Sequence, residues 1–251
     1  MQHETAPEGG FQTPAEQQVG RKNAVCFKRN PDAWEKKMES FPKYVRRQNL
    51  TRFLAQYEIF KRVLPVKGSI VECGVFRGGG FMAWAKLSAI LEPTNLSRRI
   101  YGFDSFAGFP AVRGEDQGAL RASQAGDLYA DSHAELLELI AAYDSDRFLG
   151  HVDKAHLVKG DAVHTIPEFI KTHAHVIVSL LFLDFDLYAP TTVAIEHFYP
   201  RIPRGGIIAF DELDNPLWPG ETLAMLEKIG AGHLRIERLD FDPYIGFAVK
   251  E

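Results

Sequence analysis

The chain has 251 residues, a formal net charge of −4 and two cysteines. A charge this close to neutral gives no support to a nucleic-acid-binding role. Cys26 and Cys73 lie far apart with no Cys/His spacing, so the sequence implies neither a zinc site nor a disulfide framework. We expect Cys73 to be a small core residue, and the basic pair Arg98–Arg99 to be solvated surface.

The N-terminal segment, residues 1–30, is polar and rich in Gln, Glu, Gly and Pro, a composition that predicts a flexible tail. It contains no apolar stretch like that of a signal peptide, and no apolar run in the chain reaches transmembrane length. We therefore expect a cytoplasmic protein with no membrane partner. Residues 31–251 are predicted to form a single domain that begins with helices.

A helix with one buried face is predicted over residues 44–64, where Pro65 ends it. Its apolar side chains recur at the three- and four-residue spacing of a helix. These positions are Leu50, Phe53, Leu54, Tyr57, Phe60 and Leu64.

Short apolar runs then alternate with helical patterns. Strands are predicted at residues 69–73, 100–103, 155–158, 176–183 and 206–210, and helices at residues 81–91, 132–143, 166–172, 191–199 and 221–229. Two further strands, residues 234–239 and 245–249, close the chain as a hairpin-like pair. This order predicts an α/β fold with a doubly wound, mainly parallel sheet and helices on both faces. A last antiparallel strand is compatible with such a sheet.

One long stretch, residues 107–131, is poorly patterned. Long loops in compact domains are usually functional or mobile, so we predict a lid here. The aromatic residues Phe106, Phe109 and Tyr129 are expected to pack within the fold, and contact with an acceptor molecule is the alternative.

A glycine-rich turn, ECGVFRGGG at residues 72–80, follows the first strand. Ligands of doubly wound sheets bind at the carboxyl ends of the strands. Glycines there let a ligand approach the backbone, and the next helix offers free N–H groups. The turn departs from the dinucleotide pattern GxGxxG, because Val75, Phe76 and Arg77 follow Gly74, which disfavours an NAD site. A plain glycine turn without a ligand is the alternative.

Two acids follow the second and third strands. Asp104 suits the acceptor of a ribose diol, with a helix cap or turn as the alternative. Asp161, within Gly160-Asp161-Ala162, is a candidate acceptor for an adenine amino group. Together with the turn, they indicate a nucleoside cofactor.

Two acidic pairs follow the fourth and fifth strands. Asp184 and Asp186 are two positions apart and point to one side, and Asp211 and Glu212 reach the same sheet edge. Burying like charges together is costly unless they share a cation or a proton. Converging carboxylates predict a hard-cation site such as Mg²⁺. Separate solvated turn acids are the alternative.

Five motifs resemble one enzyme family over about residues 44–251. They are VECGVFRGGG, YGFDSFAGFP, GDAVHTIP, FLDFDLYAPT and YPRIPRGGIIAFDEL. The resemblance is to the macrocin-type O-methyltransferases, class I enzymes that use S-adenosylmethionine (SAM) and need Mg²⁺. They methylate sugar hydroxyls of glycosylated natural products, antibiotics among them. The resemblance implies a Rossmann-like sheet whose seventh strand is antiparallel.

The resemblance also implies a set of cofactor contacts. The implied SAM-binding residues are Glu72, Gly74, Arg77, Gly78, Asp104, Ser105, Asp161, Ala162 and Asp184. The first glycines and Glu72 would line the methionine end of SAM. Asp104 and Ser105 would hold the ribose, and Asp161 and Ala162 the adenine.

The implied metal ligands are Asp184, Asp211 and Glu212, and Asp186 would be the catalytic base. Glu212 stands where many members have a second aspartate, and its longer arm can still reach a metal. A metal bound to two vicinal hydroxyls would lower the pKa of the acceptor hydroxyl. Asp186 would then remove an acidified proton.

The resulting hypothesis is a SAM- and Mg²⁺-dependent O-methyltransferase that acts on a small-molecule sugar or glycoside. The alternatives are a metal-dependent catechol or phenol O-methyltransferase, an NAD-dependent oxidoreductase, and a non-catalytic nucleotide-binding protein. The resemblance further suggests a homo-oligomer, in which the N-terminal tail could reach a neighbouring subunit.

Overall fold

The computed structural model describes residues 13–118 and 122–251. The chain divides into two compact units, Met1–Leu54 and Ala55–Glu251. The first twelve residues of the predicted tail, and residues 119–121 of the predicted lid, lie outside the described residues. In the described ranges, no helix combines the length and apolar content needed to cross a membrane.

The described part of the predicted flexible tail is helical instead. Helix α1 spans Pro14–Gln17, α2 spans Val19–Arg29 and α3 spans Trp34–Glu39. Local capping explains where α1 begins, because the side chains of Thr13 and Glu16 form a reciprocal capping box. The single domain over residues 31–251 stays a prediction, because the chain divides into its two compact units between residues 54 and 55.

The first unit has little core of its own. It contains an edge-to-face pair of Phe27 and Tyr44 with ring centroids 4.9 Å apart. The Asn23 side chain donates a hydrogen bond of 3.0 Å to the Tyr44 carbonyl. Within the described residues, α2 and α3 contain no buried residue.

One seven-stranded sheet forms the centre of the second unit. Its strands are β1 Ser69–Cys73, β2 Ile100–Asp104, β3 Ala155–Lys159, β4 Val178–Leu183, β5 Ile207–Phe210, β6 Glu237–Leu239 and β7 Asp242–Val249. The order is β3-β2-β1-β4-β5-β7-β6. The first five strands pair in parallel, whereas β7 is antiparallel to β5 and β6. The predicted doubly wound sheet with a reversed seventh strand is confirmed.

Helices cover both faces of the sheet. They are α4 Arg47–Val63, α5 Gly79–Leu91, α6 His133–Asp146, α7 Ala162–Thr172, α8 Tyr188–Phe198 and α9 Pro219–Lys228. Buried side chains of α4, α5 and α6 share one hydrophobic core, and those of α7, α8 and α9 share the other. Helix α7 begins four residues earlier than predicted because Asp161 caps it, accepting from the Val163 N–H at 3.0 Å.

The strands are apolar on both sides because each side faces a core. In β1, Ile70 packs into the core with α5, whereas Val71 and Cys73 pack into the core with α8. This double burial explains why the central strands read as continuous apolar runs. It also confirms Cys73 as a core residue.

The prediction that Arg98 is solvated surface was wrong. Only 2% of the residue is exposed, and its Nε lies 2.8 Å from the Glu92 carboxylate. Its other nitrogens donate to the carbonyls of Val63, Val66 and Gly68, each at 3.0 Å. The planar guanidinium has five donors and can therefore satisfy several carbonyls at the end of α4 together with one carboxylate.

Candidate active site

The glycine-rich turn after β1 lies in direct contact with the end of β4. Gly74 has φ 101°, and a Cβ there would lie 1.8 Å from the carbonyl oxygen of Asp184. The Asp184 N–H donates to the Cys73 carbonyl at 2.7 Å. Gly78, with φ 81°, forms the N-cap of α5. Only glycine fits at position 74, because the site needs both a left-handed backbone and the absence of a side chain.

Asp104 holds this turn in shape. Its Oδ2 accepts from the N–H groups of Val75 and Phe76, both at 2.8 Å, and its Oδ1 accepts from the Phe106 N–H at 2.6 Å. A carboxylate has about four acceptor positions, so three backbone bonds leave capacity for one more donor. Asp104 thus shapes the turn and can still accept a ribose hydroxyl, the role that remains a prediction.

Glu72 lies beneath the turn, with 2% of its surface exposed. A Cβ on Gly80 would lie 2.3 Å from its Oε1, so the start of α5 sits directly on this carboxyl group. Its Oε2 has no hydrogen-bond partner among the residues the structure describes. Burial raises the pKa of the Glu72 carboxyl well above its usual range. The nearby Trp84 side chain opposes this effect, whereas the charges of Asp104 and Asp211 add to it. A cationic ligand would offset the free-energy cost of keeping this buried carboxylate charged.

Four other predicted cofactor residues have local roles in the structure. The Ser105 hydroxyl donates to the Gly108 carbonyl at 2.6 Å and accepts from the Ala107 N–H. Asp161 is the N-cap of α7, as described above, and Ala162 is the first residue of that helix. The Arg77 side chain is exposed and lies over the Phe76 ring, 5.1 Å from its centroid. Their contacts with SAM remain predictions.

The predicted acidic pairs both lie at the carboxyl edge of the sheet. Asp186 is 8% exposed and has a left-handed φ of 61°, a conformation that Asp tolerates better than most residues. Asp211 is 5% exposed, and its N–H donates to the Leu183 carbonyl at 2.9 Å. The Glu212 carboxylate accepts a hydrogen bond from the Asn215 side chain. The turns after β4 and β5 are thereby brought side by side.

A fifth acid, Glu221, joins this edge and was missed by the sequence analysis. It lies in the first turn of α9 with 0% exposure, and its Oε1 accepts from the Glu212 N–H at 3.2 Å. Burial raises its pKa well above the usual range, and the charges of Asp211 and Asp186 add to this effect. The available signal was a glutamate in the first turn of the predicted helix that follows the acidic pair, nine positions after Glu212.

The donor set matches a hard cation in chemistry, but it is not assembled in ligating geometry. Within residues 13–118 and 122–251, no group of three or more His, Cys, Asp or Glu side chains is placed to hold a metal ion. All candidates are carboxylates, which Mg²⁺ prefers. The Glu221 Oε2 is buried and has no partner among the described residues.

The predicted lid is tied to the acidic edge through Asp116, which the sequence analysis also missed. This residue is 2% exposed and ends a short 3₁₀ helix, Gly114–Asp116. Its Oδ1 accepts from the Tyr188 N–H at 2.6 Å and its Oδ2 from the Arg113 N–H at 2.7 Å. A Cβ on Gly220 would lie 2.4 Å from Asp116 Oδ1. The lid segment, the start of α8 and the start of α9 therefore meet at one carboxylate.

Aromatic residues add a second contact between the lid and the loop after β5. The Phe109 ring lies edge-on to Trp218 with centroids 5.8 Å apart. Phe106 and Phe109 are buried, as predicted, whereas Tyr129 is 61% exposed. Of these three aromatic residues, Tyr129 is therefore the one whose side chain is not buried in the core.

Comparisons with known proteins show which family the chain resembles. Residues 45–225 match the family described as macrocin-O-methyltransferase (TylF). A tetracenomycin-type relative from Streptomyces olivaceus, 8-demethyl-8-(2,3-dimethoxy-alpha-L-rhamnosyl)-tetracenomycin-C 4'-O-methyltransferase, is 32% identical over 59% of this chain and 53% of its own. Mycinamicin III 3''-O-methyltransferase from Micromonospora griseorubida is 28% identical over 59% of this chain and 56% of its own. The chain thus spans about half the length of these curated relatives.

Solved structures match over a larger share. CalS11, described as a calicheamicin methyltransferase, superposes with a TM-score of 0.90 at 32% identity, covering 98% of this chain and 99% of its own. An apo structure of CalS11, described as a TDP-rhamnose 3'-O-methyltransferase in calicheamicin biosynthesis, gives a TM-score of 0.83 at 32% identity over 95% and 96%. The O-methyltransferase NovP, at 23% identity and a TM-score of 0.61 over 80% and 79%, shares the fold.

Proposed function

Because this chain belongs to the macrocin O-methyltransferase family, we propose that it transfers the methyl group of SAM to a sugar hydroxyl. The observation that carries this proposal is the backbone contact between Gly74 and Asp184. A SAM molecule at the turn after β1 would lie beside the carboxylates that follow β4 and β5. Methyl transfer requires this proximity, because the reaction is an in-line displacement between donor and acceptor.

The names of the relatives support a deoxyhexose as the acceptor. CalS11 is described as acting on TDP-rhamnose, and the relative from Streptomyces olivaceus on a rhamnosyl group of a tetracenomycin. We propose a rhamnose-like sugar as the acceptor here, either linked to a nucleotide or attached to a natural product. Vicinal hydroxyl groups on such a sugar suit recognition by several carboxylates.

The donor side of the site follows from the turn. Asp104 would accept from a ribose hydroxyl with its remaining lone pair, while its other bonds keep the turn in place. Glu72, buried with an unpartnered oxygen, would pair with the positive charge at the methionine end of SAM. Arg77, Gly78, Ser105, Asp161 and Ala162 complete the proposed contacts.

On the acceptor side, we propose that Asp184, Asp211 and Glu212 hold Mg²⁺. When bound, the cation would supply Lewis acidity that lowers the pKa of the acceptor hydroxyl. Asp186 would take the proton from that hydroxyl. The oxygen would attack the methyl carbon, the sulfur–methyl bond would break, and S-adenosylhomocysteine would leave. The lid over residues 107–131 would exclude water from these groups.

Two measurements test the proposal in order. Calorimetric titration with SAM and with NAD is expected to give binding for SAM alone, and the reverse result would contradict the donor assignment. A methyl-transfer assay would then compare TDP-rhamnose, a rhamnosylated polyketide and a simple catechol as acceptors. We expect transfer to a sugar, and transfer to the catechol alone would favour the catechol or phenol alternative.

Metal removal tests the cation separately. Exhaustive chelation is expected to abolish transfer while SAM binding persists, because the proposed cation acts on the acceptor hydroxyl. Added Mg²⁺ should restore the rate. Full activity of the chelated enzyme would rule out the metal part of the proposal and leave the methyltransferase part standing.

We also propose self-association through the N-terminal unit. Helices α2 and α3 bury no residue within the described chain, and Val25, Trp34 and Met38 are each more than half exposed. Short helices without a buried face are unstable in water, so a second copy would supply the missing contact. Light scattering on the full chain, compared with a Trp34→Ser variant, would test this. A monomeric wild-type protein would contradict it.

A further inference from the structure

Phe76, in the glycine-rich turn after β1, has a backbone conformation that bulky residues rarely adopt. Its φ is 51°, in the left-handed region, and 38% of the residue is exposed. A left-handed backbone at a residue other than glycine is strained, and such strain persists only where the surrounding structure fixes it. Strained residues of this kind cluster at ligand sites. The groups that hold the Phe76 backbone therefore act on the turn where SAM is proposed to bind.

Two side chains hold Phe76, one on each side of the residue. The Asp104 carboxylate accepts from the Phe76 N–H at 2.8 Å, and the Ser132 hydroxyl donates to the Phe76 carbonyl. Asp104 already has a proposed role toward the ribose of SAM, whereas the proposed function gives Ser132 no role. Ser132 lies 56 positions further along the chain and is 5% exposed, so water has little access to its side chain.

Ser132 is the N-cap of α6, but its side chain is not used to cap that helix. A serine at an N-cap usually accepts a hydrogen bond from one of the first helical N–H groups. Here the Ser132 carbonyl accepts from the Leu136 N–H at 2.9 Å, whereas its hydroxyl makes no capping bond within the described chain. The hydroxyl is directed to Phe76 instead. The bond to Phe76 therefore takes the place of a local bond that would stabilise α6.

A second contact joins the start of α6 to the same turn. A Cβ on Gly78, the N-cap of α5, would lie 2.1 Å from the Leu136 side chain. Leu136 is 1% exposed and belongs to the core that α5 and α6 share. Because interiors are close-packed, the turn cannot shift without displacing the first turn of α6.

The residues just before Ser132 form the end of the predicted lid. The Gly126 N–H donates to the Phe109 carbonyl, and the Phe109 N–H donates to the Asp127 carbonyl, both at 2.9 Å. On its other side, this end of the lid runs into Ser132 and its bond to Phe76. The end of the lid is therefore anchored between Phe109 and the turn after β1.

We propose that Ser132 is a positioning residue for the methyl donor. Its hydroxyl keeps the Phe76 peptide in the left-handed conformation in which the Phe76 N–H reaches Asp104. The same bond ties the end of the lid to the turn, so SAM bound at the turn would also hold the lid. By linkage, loss of the bond would weaken both SAM binding and the order of the lid. The inference rests on the proposed SAM site at this turn.

Calorimetric titration of the full chain with SAM tests the effect on the donor. Ser132→Ala removes the hydroxyl and leaves the backbone of α6 unchanged. We expect it to bind SAM roughly tenfold more weakly than the wild type, as for one lost hydrogen bond that shapes the site. Ser145→Ala is the matched control, because this exposed serine of the same helix donates to the Ala141 carbonyl within α6. It should bind SAM as tightly as the wild type.

Limited digestion with chymotrypsin tests the effect on the lid. Leu128 and Tyr129 are cleavage sites just before Ser132, and they are 37% and 61% exposed. Saturating SAM is expected to slow their cleavage at least about threefold in the wild type and in Ser145→Ala, but not in Ser132→Ala. A merely structural role for Ser132 would change the cleavage rate equally with and without SAM.

The outcomes separate this inference from the proposed function. If the wild type binds SAM and Ser132→Ala binds it equally tightly, the inference is overturned and the proposed donor site stands. If the wild type does not bind SAM, both are overturned. Equal protection of the lid by SAM in all three proteins would overturn the link to the lid. If Ser132→Ala does not fold, Ser132→Cys, whose thiol is a weak donor, should show weakened SAM binding, and wild-type affinity there would overturn the inference.

Discussion

The carboxylate of Asp116 accepts a hydrogen bond of 2.6 Å from the backbone N–H of Tyr188, 72 positions further along the chain. Tyr188 begins α8, two residues after Asp186. The second oxygen of Asp116 binds the Arg113 N–H within the lid segment. One buried side chain therefore joins the predicted lid to the turn that carries the proposed base.

Replacing Asp116 with Asn should weaken this link. The amide keeps a single acceptor oxygen, so one of the two backbone N–H groups loses its partner. We expect a loss of about 1.5–3 kcal/mol in the free energy of unfolding, as for a buried hydrogen bond to a charged group. Urea unfolding would measure it, and limited proteolysis should show faster cleavage within residues 107–131. Glu115→Gln, its exposed neighbour, is the control, and equal stability of both variants would contradict the link.

A Gly74→Ala substitution should disturb both the turn after β1 and the end of β4, which contact each other at this residue. The added Cβ would lie 1.8 Å from the Asp184 carbonyl oxygen, on a backbone with φ 101°. We expect a loss of about 2–5 kcal/mol in stability from strain and overpacking, and SAM binding too weak to detect by calorimetry. Gly79→Ala is the matched control, because a Cβ there meets nothing within 4 Å. It should be as stable as the wild type or slightly more stable.

Asp186→Asn tests the proposed base. Asn tolerates the left-handed backbone of this position as well as Asp does, so the turn should keep its shape. We expect SAM and Mn²⁺ binding to persist while turnover on the sugar acceptor falls by about 10²–10⁴-fold. Turnover at the wild-type rate would show that another group removes the proton.

Because of Lys154, the free energy of unfolding should depend on pH in the alkaline range. It is 4% exposed and donates to the Asn95 carbonyl at 2.9 Å. Burial lowers its pKa from 10.5 to about 8, although the nearby Glu92 carboxylate opposes this effect. Between these two values the unfolded chain binds more protons than the folded chain, so this residue's contribution to stability rises with pH.

The Lys154→Met variant isolates that contribution. Urea midpoints measured at pH 7.5 and pH 9.5 should differ between wild type and variant, with the wild type gaining stability relative to the variant at the higher pH. Other titrating groups are common to both proteins and cancel in the comparison. A constant difference across this range would show that the pKa of Lys154 is not lowered.

The strands and the acidic edge could be predicted because their signals are local. Val71, Leu181 and Ile208 belong to apolar runs that only a doubly buried sheet explains. Parallel strands end at one edge, so the acids that follow β4 and β5 had to approach each other. The order of the strands and helices then determined which edge of the sheet could carry a binding site.

The partners of several side chains could not be predicted in this way. Arg98 is one of two adjacent arginines, and only the packing of α4 against the sheet surrounds it with carbonyls. Asp116 and Glu221 are ordinary polar residues in their local sequence. Their burial depends on the approach of the lid and of α9 to the turn after β4, which no short pattern encodes. Thr13 and Glu16 show the opposite situation. Composition predicted a flexible segment here, but these two residues form a local capping box that starts a helix.

The absence of space between Gly74 and Asp184 also bears on how this enzyme type could diversify. A chain that acquired a new acceptor could not enlarge the pocket at this junction, because any side chain there would push the donor turn away from the sheet. Changes in specificity would therefore have to arise elsewhere, for example in the predicted lid or in the loop that carries Trp218, which contact each other through Phe109. The residues at the Gly74–Asp184 contact would then remain unchanged while the sequences of these outer segments vary. Exchanging these segments between relatives would be a way to obtain enzymes for new glycoside substrates.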